Sequence, residues 1–517
     1  MSAEAIHVLN RLAFGPAPGD LSRVQQLSID GYIRQQLRPQ TIPVPQAFSE
    51  RVRSWPTLYL TPVELFAQYG PPRKAPGAPK DPLAMKAARQ RARVIMQEGV
   101  QARLYRAIRG PRQLQEVMTD FWFNHFNVFA GKGLDYLWTV SYEQEAIRPH
   151  TLGRFRDLLG ATAKHPAMLF FLDNWLNTGP GTPGARGRFD GLNENYAREV
   201  MELHTLGVNG GYSQRDVTEL ARIFTGWGLV KRGAAGFQRR RTRRANGPFF
   251  PFFRAPFTPP PPVTDEISPT GFFFDASRHD FGDKQFLGHT IGGRGISEGE
   301  EALDILARHP ATARHLSFQL AQLFVADQPP PALVARLAES YQESDGHIGT
   351  VLATLFASRE FRDPACYGAK FKTPYQYVVS AVRALGIDPR NVQPLAGTLF
   401  LLGMPLYGCP TPDGYKNTQE AWLTPDGLMR RLSFATALGT GHLPLDQAPG
   451  FTRPQPLKLA MADSGPARAP TMPAPDRDNL ARTLGNRFSH STAQAVFAAP
   501  AQLQSALILG SPEFMRR

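Results

Sequence analysis

The sequence predicts a mainly α protein: a multi-helical globular core with one small β-hairpin and long Pro/Arg-rich loops. Three observations carry that expectation. Apolar residues recur at helical spacing along most of the 517 residues. Strand material is confined to 272–275 and 284–291, which read as one hairpin around a turn at 278–282. Hydrophobic residues at 42% and charged residues at 20% allow a large buried core with no covalent staple.

The elements follow in order. Ile6, Leu9, Leu12 and Ala13 already have helical spacing, so no basic and apolar leader is read at the start. Residues 22–37 carry Val24, Leu27 and Ile33 on one face. Helices are then expected over 113–129, 142–148, 154–163 and 166–176. Segments 193–206 and 215–225 form an αα-hairpin, with Gly207 at the left-handed cap position and Ser213 with Asp216 as a capping box. Beyond the β-hairpin, helices are expected over 300–307, 311–324, 332–342, 348–357 and 375–385. This organisation gives a helical domain over 1–445, a Pro/Ala-rich linker over 446–477 and helices over 478–517 packing back on the core. Lys164-His165-Pro166-Ala167 echoes Arg308-His309-Pro310-Ala311, which helix-start chemistry explains without a duplication.

Two cysteines, Cys366 and Cys409, exclude a disulfide scaffold and a Cys-rich metal site. No segment reaches the ~20 apolar residues of a membrane helix, and a cytoplasmic protein is expected. The net charge of +14 is uneven. Residues 228–264 hold eight basic side chains and no acidic one, among phenylalanines and the run Pro259 to Pro262, and read as a long loop. A second basic, Pro-rich tract over 71–93 reads the same way. Arginine with interleaved aromatics can grip an anionic polymer. With no nucleic-acid-binding fold around these loops, a solvated insertion is the simpler reading and nucleic acid is not expected.

Candidate chemistry lies in two polar stripes. At 3.6 residues per turn Asn195, Glu199 and Glu202 share a face, while His204 points the other way. Two carboxylates one turn apart can share a metal ion or a proton, or divide acid and base roles. With arginine partners such as Arg198 and Arg222 they can equally be a solvated ion-pair face. Asp120, Asn124 and Asn127 share a second face among large aromatics, as a satisfied core network or as part of a site. His125 lies off that stripe, as a core histidine or a ligand. His279-Asp280 sits in a turn, where it either needs no function or supplies a ligand or base. Glu199 and Glu202 as catalytic residues, with His125, His279 and Asp280 as ligands of a divalent metal (zinc, iron or manganese), make the enzyme reading.

Several motifs are distinctive together: Phe121-Trp122-Phe123-Asn124-His125-Phe126, Asn193 through Gly207, Thr225-Gly226-Trp227, His309 through Arg314, and Thr411-Pro412-Asp413-Gly414-Tyr415. On these the chain resembles the bacterial family of domains of unknown function catalogued under the number eighteen hundred. The resemblance transfers no catalytic residue or cofactor. It implies exported relatives in many cases, often encoded beside a family similar to sulfatases and alkaline phosphatases. A metal-dependent, hydrolase-like enzyme is the first expectation. A non-catalytic partner of a sulfatase-like protein, or of an anionic envelope polymer held by the Arg-rich loop, is the second.

Overall fold

A computed structural model describes residues 3–72, 81–229, 270–447 and 471–517. Helices make up 61% of it, so the fold is mainly α. One continuous apolar core collects residues from Ala5 to Met515. Among the described residues no helix is long and apolar enough to cross a membrane.

The longest helix among the described residues, Pro82–Arg109, corrects the loop expected over 71–93 from residue 82 on, while 73–80 lie outside the described residues. Asp81 caps it by accepting from the N–H groups of Leu83 and Ala84, and Pro82 occupies the first turn, where a missing N–H costs nothing. The prolines that suggest a loop stop where the helix starts, and the Ala-rich run behind them has high helix propensity. The helix packs against Asp135–Tyr142 and Pro374–Ala384. At Gly99 a Cβ would lie 2.3 Å from a Val140 methyl, so only glycine permits that approach.

The strand expectation changes in its pairing. Segment 272–275 contributes β2 (Phe272–Phe274), which pairs antiparallel with β1 (Trp227–Leu229) rather than with 284–291. The hairpin lies wholly inside 284–291, as β3 (Lys284–Phe286) and β4 (His289–Ile291). Leu287 and Gly288 turn it with φ of 47° and 81°, matching the twist of the strands. The Leu287 N–H donates to Asp216 at 2.9 Å, which holds a non-glycine residue in that conformation.

Helix starts account for the sequence echo. The Nδ1 atoms of His165 and His309 accept from Ala167 and Ala311 at 3.2 and 3.1 Å, making both histidines N-caps ahead of a first-turn proline. The Ser213–Asp216 capping box is also present. Helix 22–37 breaks at Ser28, with φ of 62°, into Asp20–Leu27 and Ile29–Gln36.

Two segments expected as ordinary helix widen into π-turns. After Asp135–Tyr142 the chain continues as a π-turn over Glu143–Ile147, and after Asn195–Glu199 as one over Val200–His204. Such turns recur at functional sites. At the far end of the chain Ala501–Leu509 packs on Pro425–Gly439. Backbone bonds from Lys372 to Met515 and from Arg517 to Lys370 then lay the last residues against 370–372.

Candidate functional site

The second π-turn presents two different faces. Its outer face carries Glu202, beside Glu199 at the end of the preceding helix, and both are half-buried. Asn195 leaves the expected three-residue stripe, because its side-chain amide donates to the Leu172 carbonyl at 3.1 Å. Arg198 is the shared cation, 3.6 Å from Glu202 and 3.2 Å from Glu194. Burial raises the Glu199 pKa, the carboxylates of Glu202 and Asp413 raise it further, and Arg198 opposes them. Tyr212 faces Glu202, and burial and that carboxylate push its hydroxyl up to about 12.

Asp413 reaches this face from a distant part of the chain, and the second polar stripe places it. The Asn124 side chain accepts from the Tyr415 N–H at 2.7 Å and donates to the Tyr415 carbonyl at 2.8 Å. Asn127 donates to the carbonyls of Cys409 and Thr411 at 3.1 and 2.7 Å. Gly414 has φ of 65°, and a Cβ there would lie 2.3 Å from the Asn124 carbonyl oxygen. The stripe is therefore a satisfied network that docks the 409–415 loop beside Glu199.

Asp120, the third member of the stripe, belongs instead to a buried ion network. Arg103 lies 2.7 Å from Asp120 and 3.0 Å from Glu143, while Arg148 lies 2.7 Å from Glu116 and 3.2 Å from Glu143. Burial alone would raise the Glu143 pKa, but Arg103, Arg148 and Arg106 outweigh it and hold the carboxyl below the ordinary glutamate value. A cavity of about 20 Å3 lies between this network and 404–408, with room for about one water.

The structure keeps the expected metal set apart. His125 is buried on the inner side of the second π-turn and donates from Nε2 to the His204 carbonyl at 3.1 Å. His279 is buried elsewhere, with Nε2 2.9 Å from Glu298 and Nδ1 2.9 Å from the Thr225 carbonyl. Asp280 pairs with Arg222 at 2.8 Å. Each group is already engaged by its own neighbours, and Arg222 turns to Asp280 and Glu219 rather than to Glu199 or Glu202. Among the described residues no group of three or more His, Cys, Asp or Glu side chains could hold a metal ion.

Sequence reasoning misses Asp413, Tyr212 and His315 as neighbours of the turn. Asp413 and His315 sit in or next to distinctive motifs, but no local spacing links them to residue 199. Most of the basic loop over 228–264, from residue 230 on, lies outside the described residues, as does 448–470 of the expected linker.

The inner polar network, the docked loop and the two π-turns draw on residues spread through the chain, and a family model spans the same extent. The model of Protein of unknown function (DUF1800) matches residues 7–516. The chain belongs to this family. No curated protein and no solved structure matches it. Within this DUF1800 chain the match takes in both π-turns, the Asn124 clamp and the 409–415 loop.

Proposed function

We propose that this DUF1800 protein is a hydrolase-like enzyme that works by carboxylate acid–base chemistry on the outer face of the second π-turn. The observation behind this reading is the Glu199 carboxyl. It is half-buried, and two carboxylates, Glu202 and Asp413, face it, with Arg198 3.6 Å from Glu202 and Lys416 2.8 Å from Asp413 as the cations alongside. A raised glutamate pKa suits a proton donor, while Glu202, beside Arg198, is the partner that accepts a proton from water. Tyr212 and Asp413 orient groups at the edge of the pair.

The test is a panel of chromogenic esters, phosphate esters and glycosides assayed with the full-length protein. Elemental analysis of the wild type and of the Glu199→Ala/Glu202→Ala variant reports whether the pair retains a metal. Loss of a general acid typically costs about 10²–10⁴ in rate, so Glu199→Gln should fall by that much on any substrate turned over. Unchanged rates in both Glu199→Gln and Glu202→Gln would remove the pair from catalysis.

A second observation favours the partner reading. Met429, Leu432, Phe497, Leu503 and Leu507 are large, exposed apolar side chains on the Pro425–Gly439, His490–Ala498 and Ala501–Leu509 helices. Exposed apolar clusters of this kind mark interaction surfaces. Binding of a sulfatase-like protein, lost in Leu432→Asp and Leu507→Asp, would support this reading over the enzyme.

A further inference from the structure

The end of the second π-turn poses a problem of hydrogen-bond accounting. Buried backbone carbonyls need partners, and the last carbonyls of a helix have none within it. The protein solves this locally at two positions. The Thr205 hydroxyl donates to the Val200 carbonyl at 2.7 Å, and the Gly207 N–H donates to the Met201 carbonyl at 3.1 Å. The last two carbonyls of the turn, of Leu203 and His204, are taken from outside it. His315 Nε2 donates to Leu203 at 3.3 Å, and His125 Nε2 donates to His204 at 3.1 Å. A carbonyl only accepts, so both imidazoles must carry their proton on Nε2.

We infer that His125 and His315 are positioning residues for the acid–base face: their Nε2 protons pin the carbonyl end of the π-turn whose outer side carries Glu202, with Glu199 just before it. This rests on the acid–base reading of that face. The two rings come from different helices, Gln113–His125 and Pro310–Phe324, and lie side by side with their centroids 6.3 Å apart, so two elements hold the inner side of the turn. The Gln319 side-chain nitrogen is placed 3.0 Å from His315 Nε2, while its oxygen is buried without a partner; two donors do not face each other, so we assign the amide with its oxygen toward the ring, where it shares the Nε2 proton. Gly207 completes the arrangement. It has φ of 84°, and a Cβ there would lie 2.9 Å from His315 Nδ1, so a side chain would push the ring off Leu203. His204 is itself buried and contributes its backbone to the clamp.

The two faces are therefore linked. If the inner clamp is released, the turn can relax and the Glu199 carboxyl moves away from Glu202, Asp413 and Arg198, the charged groups that face it. Its proton affinity should then fall toward the ordinary glutamate value.

The first measurement needs no variant. Nitrogen-15 spectra of histidine-labelled full-length protein report the tautomer of each ring, with resonances assigned through single His→Phe variants. The expected result is the Nε2–H tautomer for both His125 and His315, and an Nδ1–H tautomer at either ring overturns the inference. The second measurement follows the Glu199 side-chain carbon through a pH titration, with Glu199→Gln as the assignment control. His315→Phe keeps the ring volume and removes the donor, and His315→Gln restores one. A downward shift of the Glu199 midpoint in folded His315→Phe, reversed in His315→Gln, is expected. An unmoved midpoint in a folded His315→Phe protein overturns it. Neither readout depends on turnover. If Glu199→Gln leaves hydrolysis unchanged while the midpoint still moves, the clamp stands and the enzyme reading fails. If the wild type is active, Glu199→Gln is not, and the midpoint stays put, the enzyme reading stands and the clamp fails.

Discussion

The two π-turns share a backbone irregularity and treat charge in opposite ways. Glu143–Ile147 turns one of its two glutamates inward: Glu143 is fully buried against Arg103 and Arg148 and accepts from the Tyr407 hydroxyl at 3.0 Å, while Glu145 stays half-buried and burial raises its pKa to about 7. Val200–His204 turns its carbonyls toward the imidazoles of His125 and His315 on the inner side and leaves Glu202, with Glu199 just before it, on the half-buried outer face. At Glu143, opposite charges cancel in a place water does not reach. At Glu199 and Glu202, like charges gather where water can reach them. A buried, compensated carboxylate favours the folded chain, whereas a half-buried pair that Arg198 compensates only in part is tolerated at some cost to stability. That cost is expected at a site kept for chemistry, since functional residues are often poor choices for stability.

The contrast is broken most strongly at Glu143. Glu143→Gln leaves Arg103 and Arg148 buried beside a neutral amide, and removing one partner of a buried pair typically costs about 3–5 kcal/mol. Urea unfolding of the variant should show a loss of that size. A loss below about 1 kcal/mol, the range of a surface pair, would mean that the first turn is no more dependent on charge than the second.

Acid separates the turns by order. Burial lowers the pKa of His125 from 6.5 to about 3, with His315 adding to the effect. The unfolded chain therefore binds this proton first, so the stability tied to a neutral His125 is intact above pH 6.5 and is lost as pH falls from 6.5 toward 3. Glu143 has a folded pKa below its ordinary 4.5, so its contribution is intact above pH 4.5 and goes only as pH falls through that lower value. Hydrogen exchange followed by mass spectrometry between about pH 7 and pH 5 should show opening at 200–207 before 143–147. The reverse order, or simultaneous opening, would show that the imidazole clamp does not set local stability. The size of the effect is of the order of a few kcal/mol at most.

How much of this is legible in the sequence differs between the two sides of each turn. Helical periodicity places 193–206 on a helix and puts Glu199 and Glu202 together opposite His204, because local spacing determines which residues share a face. The same periodicity makes 142–148 a plain helix, since the widening at Glu143 answers to Arg103, Arg148 and Tyr407 from elsewhere in the chain. Asp413 is invisible as a neighbour of Glu199 because two asparagine side chains, not a spacing, bring it there. The metal set comes apart for a related reason. His279 and Asp280 are adjacent in sequence, but His279 goes inward to Glu298 while Asp280 goes to Arg222. The 71–93 tract reads as loop from its proline content, yet those prolines end at the first turn of a helix, and it is their position rather than their number that matters.

The smallest predicted effect is the most telling for function. Glu199→Gln is isosteric and removes one of the like charges facing Glu202 and Asp413, while Arg198 keeps its contacts with Glu202 and Glu194. Because the folded chain raises the Glu199 pKa, the ionised carboxylate works against folding as pH rises above the ordinary glutamate value. The group is half-exposed, so solvent screens the repulsion and the relief should be modest, about 0.2–1 kcal/mol of added stability at neutral pH. At about pH 4, where the glutamate is largely protonated in both states, the gain should vanish. The same chemical change at Glu143 has the opposite sign and several times the size. A Glu199→Gln protein that is less stable than the wild type at neutral pH would mean that Glu199 serves the fold through contacts of its ionised form. The outer face would then be a second structural network, and the case for chemistry there would have to rest on turnover alone.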